Sequence, residues 1–207
     1  TYVQAASQMI LALAAFLMTD GGAGDLSYAE LTARLFPMAA TLAAQVGRDQ
    51  TVFFGRVHRE RLDELWGLMR DALTRPRDEE ADFERVRTTM LSDLTLGLRG
   101  NDDEELGKSV LQAMLYEGHP YAAPELGTES GLGGIELDDV RPHRRTIFCP
   151  GRMTIGLAGG YPAGFAERVT TDLAPLATDA CLGRAALPPV ADPGARIWIV
   201  DKPEAAA

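Results

Sequence analysis

The chain has three imidazoles, His58, His119 and His143, all far apart in sequence. A zinc site built on one helix needs two of them about three to five residues apart, so that both rings leave one face. Their separations exclude that arrangement. A Ser-His-Asp set can be assembled on paper from Ser130, His119 and Asp138. However, Thr128-Glu129-Ser130-Gly131 is not the Gly-x-Ser-x-Gly turn that presents a nucleophile, and a triad is defined by geometry. His119, ahead of Pro120, reads better as a turn residue whose ring caps or packs. Two cysteines, Cys149 and Cys181, are too few for a metal cluster or a disulfide-dense framework. A single bridge between them stays open, and the favoured reading is two small buried apolar side chains. No residue is therefore expected to act in catalysis or to hold a metal or cofactor.

Charge narrows the classes further. A net charge of −10 argues against nucleic acid, whose phosphates need a basic footprint, and against anionic membrane surfaces. Apart from Asp78-Glu79-Glu80 and Asp102 to Glu105, acids and bases are interspersed, which reads as solubility. The longest apolar stretch, Met9 to Met18, is too short to span a bilayer, and without a preceding basic stretch it reads as a buried helix, not a signal peptide. An apolar content of 46% with 24% charged residues over 207 positions fits one folded domain with a single core.

The elements alternate without repeats. Ser7 to Thr19 is apolar on all sides and ends at Asp20-Gly21-Gly22, so it predicts a helix buried by its neighbours. Ser27 starts the next helix with Glu30 in the capping-box position, and Pro37 should stop it. Ala39 to Val46 and Thr51 to Val57 predict a hairpin turning at Gly47-Arg48-Asp49. Arg59 to Leu73 and Glu79 to Leu98 carry apolar stripes at helical spacing, with Gly100 as a stop after the second. Asn101 or Asp102 should cap a helix from Glu104 to Tyr116, and a long loop should follow to Glu136. Pro142 predicts a late or kinked start for the helix after Asp138. A strand Met153 to Ala158, a helix around Phe165 to Leu173, a Pro-rich connector Leu187 to Pro193 and a strand Arg196 to Val200 complete the reading.

Within this order, four pieces carry a resemblance: the turn Tyr116-Glu117-Gly118-His119-Pro120-Tyr121, the loop Pro124 to Thr128, the helix opened by Asp138-Asp139, and Cys149-Pro150 ahead of Met153 to Leu157. Together they resemble the insulinase/pitrilysin metallopeptidases. In that family an early helix carries His-x-x-Glu-His and a later helix supplies a Glu as third zinc ligand. When the pattern is laid on this chain through Gly21-Gly22-Ala23-Gly24, the motif falls on Leu13 to Leu17. Both histidine positions become leucine, Leu13 and Leu17, and the catalytic Glu becomes Phe16. The third-ligand position falls on or near Asp93, after Asp82-Phe83-Glu84-Arg85. A lone carboxylate cannot supply a site that needs three protein groups, so Asp93 is read as a solvated helix residue.

The resemblance implies an α+β fold of two layers, a mostly antiparallel sheet packed on helices. It covers nearly all of the chain as a single domain, residues 1–207, while the family's strands before the apolar helix are missing and Val200-Asp201-Lys202-Pro203 resembles its inter-domain link. It also implies a role: a non-catalytic unit supporting a zinc-bearing homologous domain or subunit, or self-associating, and helping to enclose an unfolded peptide. The alternative is a structural or assembly protein that keeps the fold and has left proteolysis. No cofactor, nucleic-acid partner or membrane span is expected.

Overall fold

A computed structural model describes residues 2–125, 127–176, 186–190, 192, 194–199 and 201. Its centre is helix α1, Tyr2–Asp20. Because this helix is apolar all round, it can only be stable when wrapped. Helices α4 (Glu80–Ser92), α6 (Glu129–Gly133) and α7 (Leu137–Ile147) and strand β1 (Thr41–Val46) all pack against it. Leu13, Ala14 and Leu17 are fully buried there, in one cluster with Phe83, Val86, Met90, Leu94, Leu132 and Val140.

The chain leaves α1 through Gly21 to Gly24, where glycine is required. A Cβ on Gly21 would lie 2.3 Å from the Leu17 carbonyl oxygen, and Gly22 sits at φ +100°. Ser27 then opens α2, Tyr28–Leu35. The capping box forms as the sequence predicts: the Ser27 amide donates to Glu30 at 2.8 Å while Ser27 Oγ accepts the Glu30 amide. The Ser27 hydroxyl, which donates to the same carboxylate at 2.7 Å, and then the Ser27 amide hold the Glu30 carboxyl below its ordinary value.

Strands β1 and β2 (Thr51–Arg56) form an antiparallel hairpin with Thr41 opposite Arg56 and Val46 opposite Thr51. Phe53 and Gly55 face helix α3, Leu62–Thr74, whereas Val52 and Phe54 are exposed on the other face. Helix and sheet thus form two layers, an α+β fold as the resemblance implies. A second cluster joins Trp66 and Leu73 of α3 to Phe165, Val169 and Leu173 of α8, Phe165–Leu173. The Trp66 indole N–H donates to Asp172 at 2.7 Å across that contact.

Four expectations are corrected. The stripe Glu79 to Leu98 is not one α-helix: α4 gives way at Asp93 to a π-helical segment, Asp93–Asn101. Asp102 follows it and caps α5 (Asp103–Leu115), accepting the Glu105 amide at 2.9 Å. Helix α7 starts early, not late, because Glu136 and Asp139 form a reciprocal cap and Pro142 is carried inside the helix. The stretches 153–158 and 196–199 are irregular and join no ladder; Val200 lies outside the described residues. Among the described residues the hairpin is the sole sheet. Finally, Cys149 is buried and disulfide-bonded, not a free apolar side chain; Cys181 lies outside the described residues.

Candidate functional site

The positions that the family pattern assigns to zinc sit in the best-packed part of the molecule. Leu13 and Leu17 are at 0% exposure, and Phe16 packs against the same cluster. Across from them stand Phe83, Val86 and Met90 of α4. None of these side chains offers a lone pair suited to a hard or borderline cation, and hydrocarbon cannot activate water. Asp93 begins the π segment and is solvent-exposed. Among the described residues no group of three or more His, Cys, Asp and Glu could hold a metal ion.

The paper triad is not assembled into a charge-relay set. His119 is buried with both ring nitrogens committed: Nδ1 accepts the Tyr121 amide at 3.1 Å, and Nε2 lies 3.1 Å from the Pro188 carbonyl. That arrangement fixes the proton on Nε2 and leaves no basic lone pair for a nucleophile. Its ring also packs against Tyr116 and Tyr121, with centroids 5.5 and 4.8 Å away. The Tyr121 hydroxyl donates to Asp49, and Arg48 donates to the carbonyls of Tyr121 and Ala123. The His-Pro-Tyr turn is thus the fastening between the hairpin tip and the loop after α5. Ser130 lies in the first turn of α6 beyond the Thr128 cap, and Asp138 is exposed and paired with Arg141. His58 is exposed, 3.8 Å from Glu60.

Sequence reasoning missed three polar features. His143 Nε2 meets Ser7 Oγ at 3.1 Å, joining α7 to α1. Burial lowers the His143 pKa, and the Ser7 hydrogen bond opposes that only in part, so the ring is held neutral. Asp78, assigned to a solvated acidic patch, instead takes both guanidinium nitrogens of Arg144, one at 2.7 Å, in a mostly shielded pair. Arg144 lies in the last turn of α7, more than sixty positions away in sequence, and no local pattern joins such residues. Asp20 ends α1 with its carboxyl pushed upward by burial, against the Thr19 hydroxyl and the Arg85 charge. An open cleft of about 480 Å³ runs between α4 and α7, lined by Glu80, Glu84, Arg87, Glu136 and Arg141 among others. Its carboxylates are largely engaged: Glu84 pairs with Arg87, and Arg87 also donates to the Ile135 carbonyl.

No protein-family model matches the chain. Its sequence is 24% identical over 141 residues to cytochrome b-c1 complex subunit 1, mitochondrial, of Caenorhabditis elegans, covering 67% of this chain and 29% of that protein. It is 25% identical over 174 residues to the mitochondrial-processing peptidase subunit beta of Lentinula edodes, covering 81% and 36%. The chain therefore spans about a third of the length of these curated relatives. In structure it is similar to the peptidase M16 inactive domain from Pseudomonas fluorescens, with a TM-score of 0.74 and 16% identity over 86% of this chain and 43% of that one. With the Tyr-Glu-Gly-His-Pro-Tyr turn and these relatives in agreement, the chain has the fold of an M16 peptidase inactive domain and is similar in sequence to a mitochondrial-processing peptidase subunit, while its own sequence lacks the His-x-x-Glu-His motif of the insulinase/pitrilysin metallopeptidases.

Proposed function

We propose that this domain is a non-catalytic half of a peptidase-like assembly: it supports a zinc-bearing homologous domain or subunit and helps to enclose a peptide substrate. The observation that carries the reading is the burial of Leu13 and Leu17 at 0% exposure inside the core cluster. A zinc helix must present its ligands to an open coordination position. Here the same helix face serves packing, so proton transfer and metal chemistry have to come from elsewhere. The similarity to an M16 inactive domain supports the same view. The two-layer fold leaves the outer hairpin face, with Val52 and Phe54, open toward such a partner or substrate.

A second reading has a specific observation behind it. One relative is a cytochrome b-c1 complex subunit, so the fold is also used in a protein named for a respiratory complex. On that reading the domain serves assembly alone. The two are separated by co-expressing the chain with zinc-bearing family proteins from its source and assaying the purified pair on a quenched peptide. The first reading predicts a stable pair whose cleavage rate falls at least about tenfold when this chain is withheld. A stable pair whose rate is the same without this chain would favour the assembly role.

A further inference from the structure

Helix α5 is built unlike the other long helices. It has thirteen residues and buries none of them, although Leu106, Val110, Leu111, Met114 and Leu115 are all large and apolar. At the α-helical repeat, the arc from Ala113 through Leu106, Val110 and Met114 to Leu111 and Leu115 covers roughly 200° of the circumference. A helix that packs on one neighbour needs an apolar stripe only a little over about 100° wide. The inner part of the arc meets the π segment and the His-Pro-Tyr turn. The outer part does not: Leu111 is 55% exposed and Leu115 is 45% exposed, one turn apart on one face. Gly107 lies on the same arc, one turn before Leu111. Glycine weakens a helix interior by about 1 kcal/mol relative to alanine, yet a Cβ there would meet nothing within 4 Å. Among the described residues nothing calls for a glycine there, and its open side leaves room for a partner backbone to come close against the helix.

Charge indicates what covers this face. The first turn carries Asp103, Glu104 and Glu105 after the Asp102 cap, and Lys108, which bonds Glu104 at 2.8 Å and Glu105 at 3.3 Å, is the single cation in the helix sequence. A second copy fits poorly. Packed parallel, it would set this acidic turn against itself. Packed antiparallel, it would set it against a helix end where Glu117 already holds Arg196 at 3.6 Å, so that end offers an ion pair and not a free positive charge. Each copy also carries −10 overall.

We infer that the outer face of α5 docks an amphipathic helix of a partner protein, one whose apolar stripe covers Gly107, Leu111 and Leu115 and whose lysines or arginines meet the exposed carboxylates of Glu104 and Glu105. This rests on the reading of the domain as the supporting half of an assembly, and it names the surface used. The probe is a synthetic leucine-striped helical peptide with lysines at one end, titrated by fluorescence anisotropy against the whole chain, beside a second peptide with glutamates in their place. The lysine peptide is expected to bind at least about tenfold tighter than the glutamate peptide and to weaken with salt. Leu111→Gln with Leu115→Gln should cost it about tenfold or more while leaving the thermal melt unchanged, because both side chains are half in solvent. Equal binding of the two peptides, or undiminished binding by the double variant, would overturn the inference. So would a dimer of the chain in sedimentation that the double variant abolishes, because it gives the face to a second copy. If a zinc-bearing family protein pairs equally with wild type and double variant, the docking face is wrong and the supporting role stands. If no such protein pairs but the lysine peptide binds and the variant loses it, the face stands and the supporting role is wrong.

Discussion

The core around α1 and the irregular stretches 153–158 and 196–199 both carry large apolar side chains, yet they are buried to very different degrees: of the latter, Met153 and Leu157 pack partly against the Trp66 cluster and the rest face outward. Around α1, Leu13 and Leu17 are sealed by three other helices and a strand. In those stretches Ile155 is 44% exposed and Ile197 is 92% exposed, and neither stretch joins a ladder. The difference lies in what each element needs. A helix closes its own hydrogen bonds and requires only a surface to bury its side chains, whereas a strand is not formed until a second strand pairs with it. The region that in the family would do metal chemistry is therefore the most rigidly committed to packing.

The strongest way to break this contrast is to restore the zinc motif. Leu13→His, Phe16→Glu and Leu17→His together replace hydrocarbon by polar groups in a site without partners, and should cost on the order of 5 kcal/mol. Chemical denaturation should show an unfolded or barely folded chain, and a peptidase assay no cleavage. Wild-type stability in the triple variant would mean that the helix face is less closed than its burial indicates.

Next in size is Phe83→Ala, which empties the α4 side of the same cluster. It should lower stability by about 3–5 kcal/mol in urea denaturation. Arg144→Met tests the shielded pair with Asp78. By leaving a carboxylate partly buried without its partner it should cost about 1–3 kcal/mol, more than any exposed pair such as Arg61 with Glu64. Equal losses at the two pairs would contradict the distinction drawn from their exposure.

The apolar face of α4, the capping box at Ser27 and the hairpin turn were legible because each is written within a few neighbouring residues. The turn from Tyr116 to Tyr121 was legible as a resemblance, and its role as a fastener was not: it depends on Arg48 and Asp49, some seventy positions earlier. Asp78 with Arg144, and Ser7 with His143, were illegible for the same reason. Pro142 misled because the reciprocal cap of Glu136 and Asp139 starts α7 ahead of it. The strand expected at Met153 to Ala158 failed differently. Its composition suits a strand, but pairing is a property of two segments, and one segment's sequence does not state it.

Two smaller effects sharpen the comparison. His143 has a folded pKa below its ordinary value, so its neutral form stabilises the fold fully above about pH 6.5, and that contribution is lost as pH falls through the folded value. The midpoint of thermal melts should therefore fall between about pH 7 and about pH 5, and His143→Gln should flatten part of that slope. Ile155→Thr, at a side chain largely in solvent, should change stability by no more than about 0.5 kcal/mol. A loss as large as that of Phe83→Ala would show that the stretch is buried in a way its exposure does not display.

Leu13, Phe16 and Leu17, where the family pattern would place the zinc motif, are packing residues of the core around α1. Zinc measured by atomic emission on the purified chain after dialysis against micromolar zinc, with a quenched peptide assayed on the same sample, tests this most directly. Far less than one zinc per chain and no cleavage above buffer are expected. One zinc per chain that stays bound, with cleavage that a chelator abolishes, would contradict it.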